Sequence, residues 1–366
     1  MTALVRKCIQ KMAAYVPGEQ PSDPGVIKLN TNENPYPPSP AVMRALGQIN
    51  GDMLRRYPDP ECKALRSAIA KLHGCSPDQV FTGNGGDELL ALCSRTFVED
   101  DGTIAYFEPS YSLYPVLARI RDVRSRAVCL DKDFSWPDTP ERIASRCSAN
   151  LFYMTNPNAP TGRLYPKRDV LSFCKKSKGV VVIDEAYVDF AAENCIDLAL
   201  RLKNTLVLRS LSKSYSLAGL RAGYAVGPKE LIAALFKTKD SYNLDRAAQC
   251  LALAAIRDQP YMRANARRII ATRARLAGAL QSIGFLTLPS ETNFIWAKPA
   301  KISAKALFLG LRRRNILVRY FDGSRTRDYL RISVGTEEQI DMLLKAIAEI
   351  QSRLAKGSPS KNGNFF

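Results

Sequence analysis

Apolar residues fall along this chain in two rhythms. Over residues 41–49 and 62–72 they recur every three or four positions, the spacing of one buried face of an amphipathic helix. Elsewhere they gather in short runs rich in β-branched and aromatic residues, bounded by turn formers, which is how strands buried on both faces of a parallel sheet read. Such runs predict strands at 80–82, 103–107, 151–155, 180–183, 205–209 and 223–226, with helical patterns between several of them. This alternation predicts a mainly parallel, doubly wound α/β sheet.

The pattern changes after about residue 245. One long helical stretch, 247–282, precedes strand candidates at 285–288, 293–297, 316–319 and 330–334, and a closing amphipathic helix spans 337–354. That order predicts a second, smaller α+β unit. The first forty residues end in LNTNENPYPPSP, whose prolines forbid a regular helix and predict an extended arm. The expected layout is a large domain over 41–245, an arm (1–40) joined to a small domain (246–354), and a frayed tail over 355–366.

Composition narrows the class without naming a function. A chain of 366 residues that is 46% hydrophobic and 24% charged is an ordinary globular protein with room for two domains, which excludes collagenous and largely disordered chains. No apolar run of about 18 residues predicts a membrane span, and the N-terminal MTALVRKCIQKMAAY is too charged for a secretory core, so a cytoplasmic location is expected. The nine scattered cysteines contain no Cys-x-x-Cys pair and read as reduced thiols. The single histidine, His73, excludes multi-histidine metal sites, and no metal is expected. Its KLHG context predicts the last turn of a helix, capped by Gly74, with a basic ring favouring the helix dipole.

The net charge of +18 suits nucleic acid, an anionic membrane or anionic small substrates. Basic residues are denser at 263–275 and 312–314, yet no nucleic-acid motif accompanies them, and solvated helix faces account for them. Neither nucleic acid nor membrane is expected as a partner. A basic nucleic-acid-binding protein remains the non-enzymatic alternative.

Ligands of doubly wound sheets collect beyond the carboxyl ends of the strands, so the polar residues standing there carry the chemistry. GNGGDELL follows the first strand, and its glycines and free helix N–H groups at Gly86 and Asp87 suit a phosphate; alone, such a turn is more often structural. NPNAPTG places Asn156 at a strand end, as ligand or turn former. VVVIDEAY ends a buried strand on Asp184, which either caps the next segment or meets a cationic partner. TLVLR runs into SLSKSYSLAGLRAGY, where Lys213 lies among Ser210 and Ser212 with Arg221 eight positions on. A desolvated lysine near cations is an amine nucleophile of the kind that forms Schiff bases, whereas the bland alternative is a surface loop. Together the four supply an aldehyde-binding amine, a carboxylate for a pyridinium nitrogen, a donor for a phenol oxygen and a phosphate cradle, which are the needs of pyridoxal 5'-phosphate (PLP).

At these residues the chain resembles the fold-type I PLP-dependent aminotransferases, and within them it is similar to the histidinol-phosphate aminotransferase family. KLNTNENP, RYPD, GNGGDELL, PSYSLY, NPNAPTG, DEAYVDF, SLSKSYSLAGLRAGY and YLRISVGT carry the resemblance across nearly the whole chain. It implies that Lys213 holds PLP, that Asp184 pairs with the ring nitrogen, that Asn156 and Tyr187 bind the ring oxygen and that Tyr111 stacks on the ring. It further implies a phosphate site of Gly86, Asp87, Ser210, Ser212 and Arg221, completed by Tyr57 from a partner subunit in a homodimer. For substrate, it implies Arg331, Arg319, Tyr15, Asn32 and Asn156. The implied reaction is transamination of L-histidinol phosphate with 2-oxoglutarate, giving imidazole acetol phosphate and glutamate. An aromatic amino-acid aminotransferase is the nearest alternative, and a threonine-phosphate decarboxylase a further one.

Overall fold

The computed structural model describes residues 4–356. All but the first two residues of the expected 355–366 tail lie outside them. Twelve strands are present among these residues: β1 (Ile27–Leu29), β2 (Val80–Gly83), β3 (Thr103–Glu108), β4 (Arg124–Cys129), β5 (Leu151–Thr155), β6 (Val180–Asp184), β7 (Thr205–Ser210), β8 (Gly223–Val226), β9 (Phe285–Thr287), β10 (Phe294–Pro299), β11 (Ile316–Tyr320) and β12 (Leu330–Ser333). Seven form one sheet in the order β2-β8-β7-β6-β5-β3-β4, parallel throughout except that β8 runs against both its neighbours.

The large sheet is buried on both faces. Along β5, Phe152 and Met154 enter one core while Leu151 and Tyr153 enter the other; along β6, Val181 and Ile183 part from Val182 in the same way. Successive side chains of a strand point to opposite faces, so an unbroken apolar run such as VVVI has a core to fill on each side.

The smaller sheet has the order β1-β11-β12-β10-β9, with β1 parallel to β11 and the remaining pairs antiparallel. Its own core includes Leu280, Ile295, Val318, Ile332, Leu343 and Ile347. The arm, expected only to be extended, therefore contributes a strand to the small sheet, with Ile27 and Leu29 facing inward. The other unforeseen strand, β4, is RSRAVC, an exposed edge whose charged residues hide the usual apolar alternation.

Two expectations about the chain after residue 245 need correction. The single helix expected over 247–282 is two, Arg246–Arg257 and Gln259–Ser282, because Asp258 caps the second through a bond from the Tyr261 N–H and Pro260 sits in its first turn. The first of these helices, moreover, packs on the helices Pro40–Gly47 and Lys63–His73. Leu251, Ala255, Met262 and Ile269 belong to the core of the large sheet, which thus extends well past residue 245.

His73 does end the helix Lys63–His73, and Gly74 takes the left-handed conformation with its N–H returned to the Ala70 carbonyl. The ring, however, is not a cation. Burial pushes its pKa down to about 3, and Nε2 lies 2.9 Å from the Tyr224 hydroxyl, so it serves as a neutral partner and not as a charge on the helix dipole. The nine cysteines are free thiols. Among the described residues no helix is long and apolar enough to cross a membrane.

Candidate active site

β5, β6 and β7 release their chains side by side at one end of the large sheet, and the small sheet and arm close over that end. Between them lies a cavity of about 620 Å³ lined from both units. Asp184, the last residue of β6, lies in its floor, buried to 9% exposure. Its Oδ1 accepts the Ala186 N–H at 3.1 Å and its Oδ2 accepts the Tyr114 hydroxyl at 2.9 Å. Burial still raises the carboxyl to about 6, since no cation among the described residues lies against it to oppose the cost.

One wall is the start of the helix Gly85–Phe97. Its N-cap, Asn84, makes no side-chain capping bond, so Gly86 and Asp87 open the helix with N–H groups that no side chain caps. Gly85 has φ +80, and a Cβ there would meet Arg221 Nη2 at 2.8 Å; glycine lets the guanidinium lie against the backbone. Arg221 reaches Asp87 Oδ2 at 3.3 Å and Ser212 Oγ at 3.4 Å, while Tyr111 donates to Asp87 Oδ1 at 3.0 Å. Ser210, Ser212 and Arg221 thus meet the helix start in one cradle.

Lys213 stands on the turn after β7 and is mostly buried. Its Nζ donates to the Thr31 carbonyl at 3.0 Å, and burial, aided by the nearby Arg331 charge, lowers its pKa to about 8. Tyr187 lies beside it, with Nζ 6.0 Å from the ring centre, and accepts a 3.0 Å bond from Asn32 Nδ2.

The roof comes from the arm and the small sheet. Arg331 on β12 lies over Phe294 and Phe321, each 5.4 Å from the guanidinium carbon. Nη2 donates to the Asn30 carbonyl at 3.0 Å, Nε has no partner, and no carboxylate among the described residues pairs with the charge. Arg319, opposite Arg331 in the β11–β12 register, donates among the described residues only to the carbonyls of Val16 and Pro17. Tyr15 sets its ring edge-on to Tyr111 at 6.1 Å. Asn32, with φ +56, is fixed by Ser333 on β12 and Asn293 just before β10.

The sequence model of class I and II aminotransferases matches residues 24–347. A histidinol-phosphate aminotransferase of Citrifermentans bemidjiense is 44% identical over 94% of this chain and 98% of its own length, and one of Syntrophotalea carbinolica is 45% identical over 94% and 99%. The chain belongs to the histidinol-phosphate aminotransferase family. Among solved structures, the histidinol-phosphate aminotransferase of Sinorhizobium meliloti in complex with pyridoxal 5'-phosphate superposes with a TM-score of 0.89 at 27% identity, covering 97% of this chain and 99% of that one. An L-threonine-O-3-phosphate decarboxylase of Porphyromonas gingivalis, at 21% identity and a TM-score of 0.78, has the same fold.

For a member of this family, the cavity collects Lys213, Asp184, Tyr187, Gly86, Asp87, Tyr111, Ser210, Ser212, Arg221, Tyr15, Asn32, Arg319 and Arg331. Two expected residues stand elsewhere. Asn156 ends up buried next to β5, but its side chain is taken up by the Tyr165 backbone, accepting its N–H at 2.8 Å and donating to its carbonyl at 3.2 Å, and it does not line the cavity. Tyr57 is 77% exposed with its ring stacked on Tyr242 at 4.4 Å, and it does not line the cavity.

Sequence reasoning also passed over Ser110, Thr155 and Tyr114. Tyr114 lies three residues beyond Tyr111 in PSYSLY, and its complete burial next to Asp184 was not visible without the fold.

The donor set fits PLP. A buried carboxylate without a cation suits a pyridinium nitrogen, an amine held near neutrality suits an aldehyde, and an uncapped helix start with two serines and an arginine suits a phosphate.

Proposed function

We infer that this chain catalyses PLP-dependent transamination of L-histidinol phosphate with 2-oxoglutarate, giving imidazole acetol phosphate and glutamate. The observation that carries the reading is electrostatic: one cavity holds a buried carboxylate with no cation, Asp184, and a mostly buried arginine with no anion, Arg331. A cofactor with a cationic ring and a substrate with an anionic group answer both.

Bound PLP supplies an electron sink and carries the amino group between the two substrates. Asp184 and Tyr187 would orient it, and the Gly86 to Asp87 helix start, Ser210, Ser212 and Arg221 would hold its phosphate. Lys213 Nζ, with a pKa of about 8, exchanges a proton readily near neutral pH and would take the proton from the substrate Cα and return it. Arg331 would bind the phosphate of one substrate and the carboxylate of the other, since its planar fork suits either. The cavity's depth and its aromatic lining, Tyr15, Tyr111, Tyr187 and Phe321, would keep water from that exchange.

The enzyme would act as a cytoplasmic homodimer. Supporting association, the stacked rings of Tyr57 and Tyr242 are exposed, as are Met43, Leu46 and Leu54 on the two short helices before Tyr57, apolar surface that a second copy would cover. Mixing a Tyr57→Ala chain with a Lys213→Ala chain tests it, because activity regained only in the mixture requires each site to draw on both copies.

The substrate test is a single-turnover absorbance titration of the PLP-loaded enzyme without keto acid. Histidinol phosphate at low concentration is expected to move the cofactor's visible band to the ultraviolet. If phenylalanine alone does so, the enzyme is an aromatic aminotransferase. With no visible band at all, the PLP reading fails.

A further inference from the structure

Asp184 is approached from behind by three hydroxyls in series. Ser110 Oγ lies 3.2 Å from Thr155 Oγ1, Thr155 Oγ1 lies 2.6 Å from Tyr114 Oη, and Tyr114 Oη lies 2.9 Å from Asp184 Oδ2. Each hydroxyl owns one proton, and an ionised carboxylate only accepts. The Tyr114 proton therefore goes to Asp184, Thr155 must donate to Tyr114, and Ser110 must donate to Thr155. The bonds run in one direction, and each polarises the next in a site of low dielectric. Tyr114 has no freedom to turn away, since its ring is stacked on Tyr153 at 4.8 Å and set edge-on to Tyr111 at 5.7 Å. Ser110 and Thr155 line the cavity, whereas Tyr114 is wholly buried beneath it.

We propose that this one-way chain keeps the Asp184 carboxylate ionised and leaves its free lone pairs to the ring nitrogen of bound PLP, so that Tyr114 is a positioning residue for the cofactor. The proposal rests on the PLP reading above. With Tyr114 donating, two bonds oppose the burial that raises Asp184, its own and that of the Ala186 N–H; without it, burial acts against the single backbone N–H. The carboxyl then competes with the ring nitrogen for the proton they share, and the nitrogen loses its hold on it.

The test uses the full-length enzyme loaded with PLP carrying nitrogen-15 in its ring. The nitrogen chemical shift is compared with that of free PLP in acid and in alkali, and PLP retention is measured by dialysis. Tyr114→Phe deletes only the hydroxyl and is expected to move the shift toward the unprotonated position and to weaken retention about tenfold, the scale of one hydrogen bond to a charged group. Thr155→Val should act in the same direction by less, and Ser110→Ala by less again. These two variants decide between the outcomes if Tyr114→Phe does not fold. An unchanged shift in Tyr114→Phe, or in Thr155→Val where that is the folded variant, overturns the proposal. A wild-type chain that retains no PLP overturns the reading beneath it, which is a separate and recognisable result.

Discussion

The floor and the roof of the cavity solve opposite problems. On the floor, polar groups are already engaged: Asp184 accepts two bonds, Asp87 is paired with Arg221 and bonded to Tyr111, and Tyr187 is held by Asn32. On the roof, the hydrogen bonds of Arg331 and Arg319 among the described residues go only to backbone carbonyls, and Arg331 keeps an unpaired Nε. The contrast follows from origin. Floor residues leave the ends of parallel strands packed on both faces, which fix direction before anything binds, while the roof is assembled from an arm and a small sheet distant in sequence. A prepositioned floor suits a group that stays; an unsatisfied roof suits anions that come and go.

The comparison breaks most visibly at Lys213. Lys213→Ala is expected to lower multiple-turnover rate by at least about 10³-fold with the fold intact by circular dichroism, since on the proposed reading it removes both anchor and base. Substantial remaining turnover would refute the role proposed for it. Arg331→Lys sharpens the division instead. It keeps the charge but loses the fork, so KM for both substrates should rise about 10- to 100-fold while PLP retention stays unchanged; retention falling in step would show floor and roof to be one unit.

A third test reads the floor through stability in the cofactor-free protein. Asp184 holds its proton to about pH 6 in the fold against 3.8 ordinarily, so between those values the folded chain binds more protons and stability falls as pH rises. Lys213 loses its proton near 8 against 10.5, so from 8 to 10.5 the unfolded chain binds more and stability climbs. Each limb is on the order of 3 kcal/mol at most. In urea midpoints measured across pH, Asp184→Asn should flatten the first limb and Lys213→Met the second; limbs that persist in these variants belong to other groups. The smallest effect concerns the excess positive charge. If it steers anionic substrates, kcat/KM should fall by roughly several-fold with rising ionic strength, whereas a salt-independent value removes steering.

Most of the floor was legible because buried parallel strands write themselves as apolar runs ending in a polar residue. VVVID pointed to both β6 and Asp184, and the ten strand candidates all correspond to strands within about two residues. Legibility failed where an element is defined by its partner. β1 is three residues in a proline-rich arm, β4 is a charged edge, and the break at Asp258 depends on one cap and one proline inside a long helical pattern. Side-chain direction was equally hidden: nothing in NPNAPTG says that Asn156 bonds Tyr165, and nothing in PSYSLY separates Tyr111, facing the cavity, from Tyr114 beneath it.

The pairing of β1 with β11 joins Ile27 to Ile316, roughly 290 residues apart. During translation the arm leaves the ribosome early and waits for its strand partner until nearly the whole chain has been made. The large sheet, complete by Val226, can gather its core in the meantime, so the floor of the pocket forms first and its roof last. Truncated or stalled chains would then carry a formed floor under an open top, and on the reading proposed above selectivity for substrate would be the final property that synthesis confers.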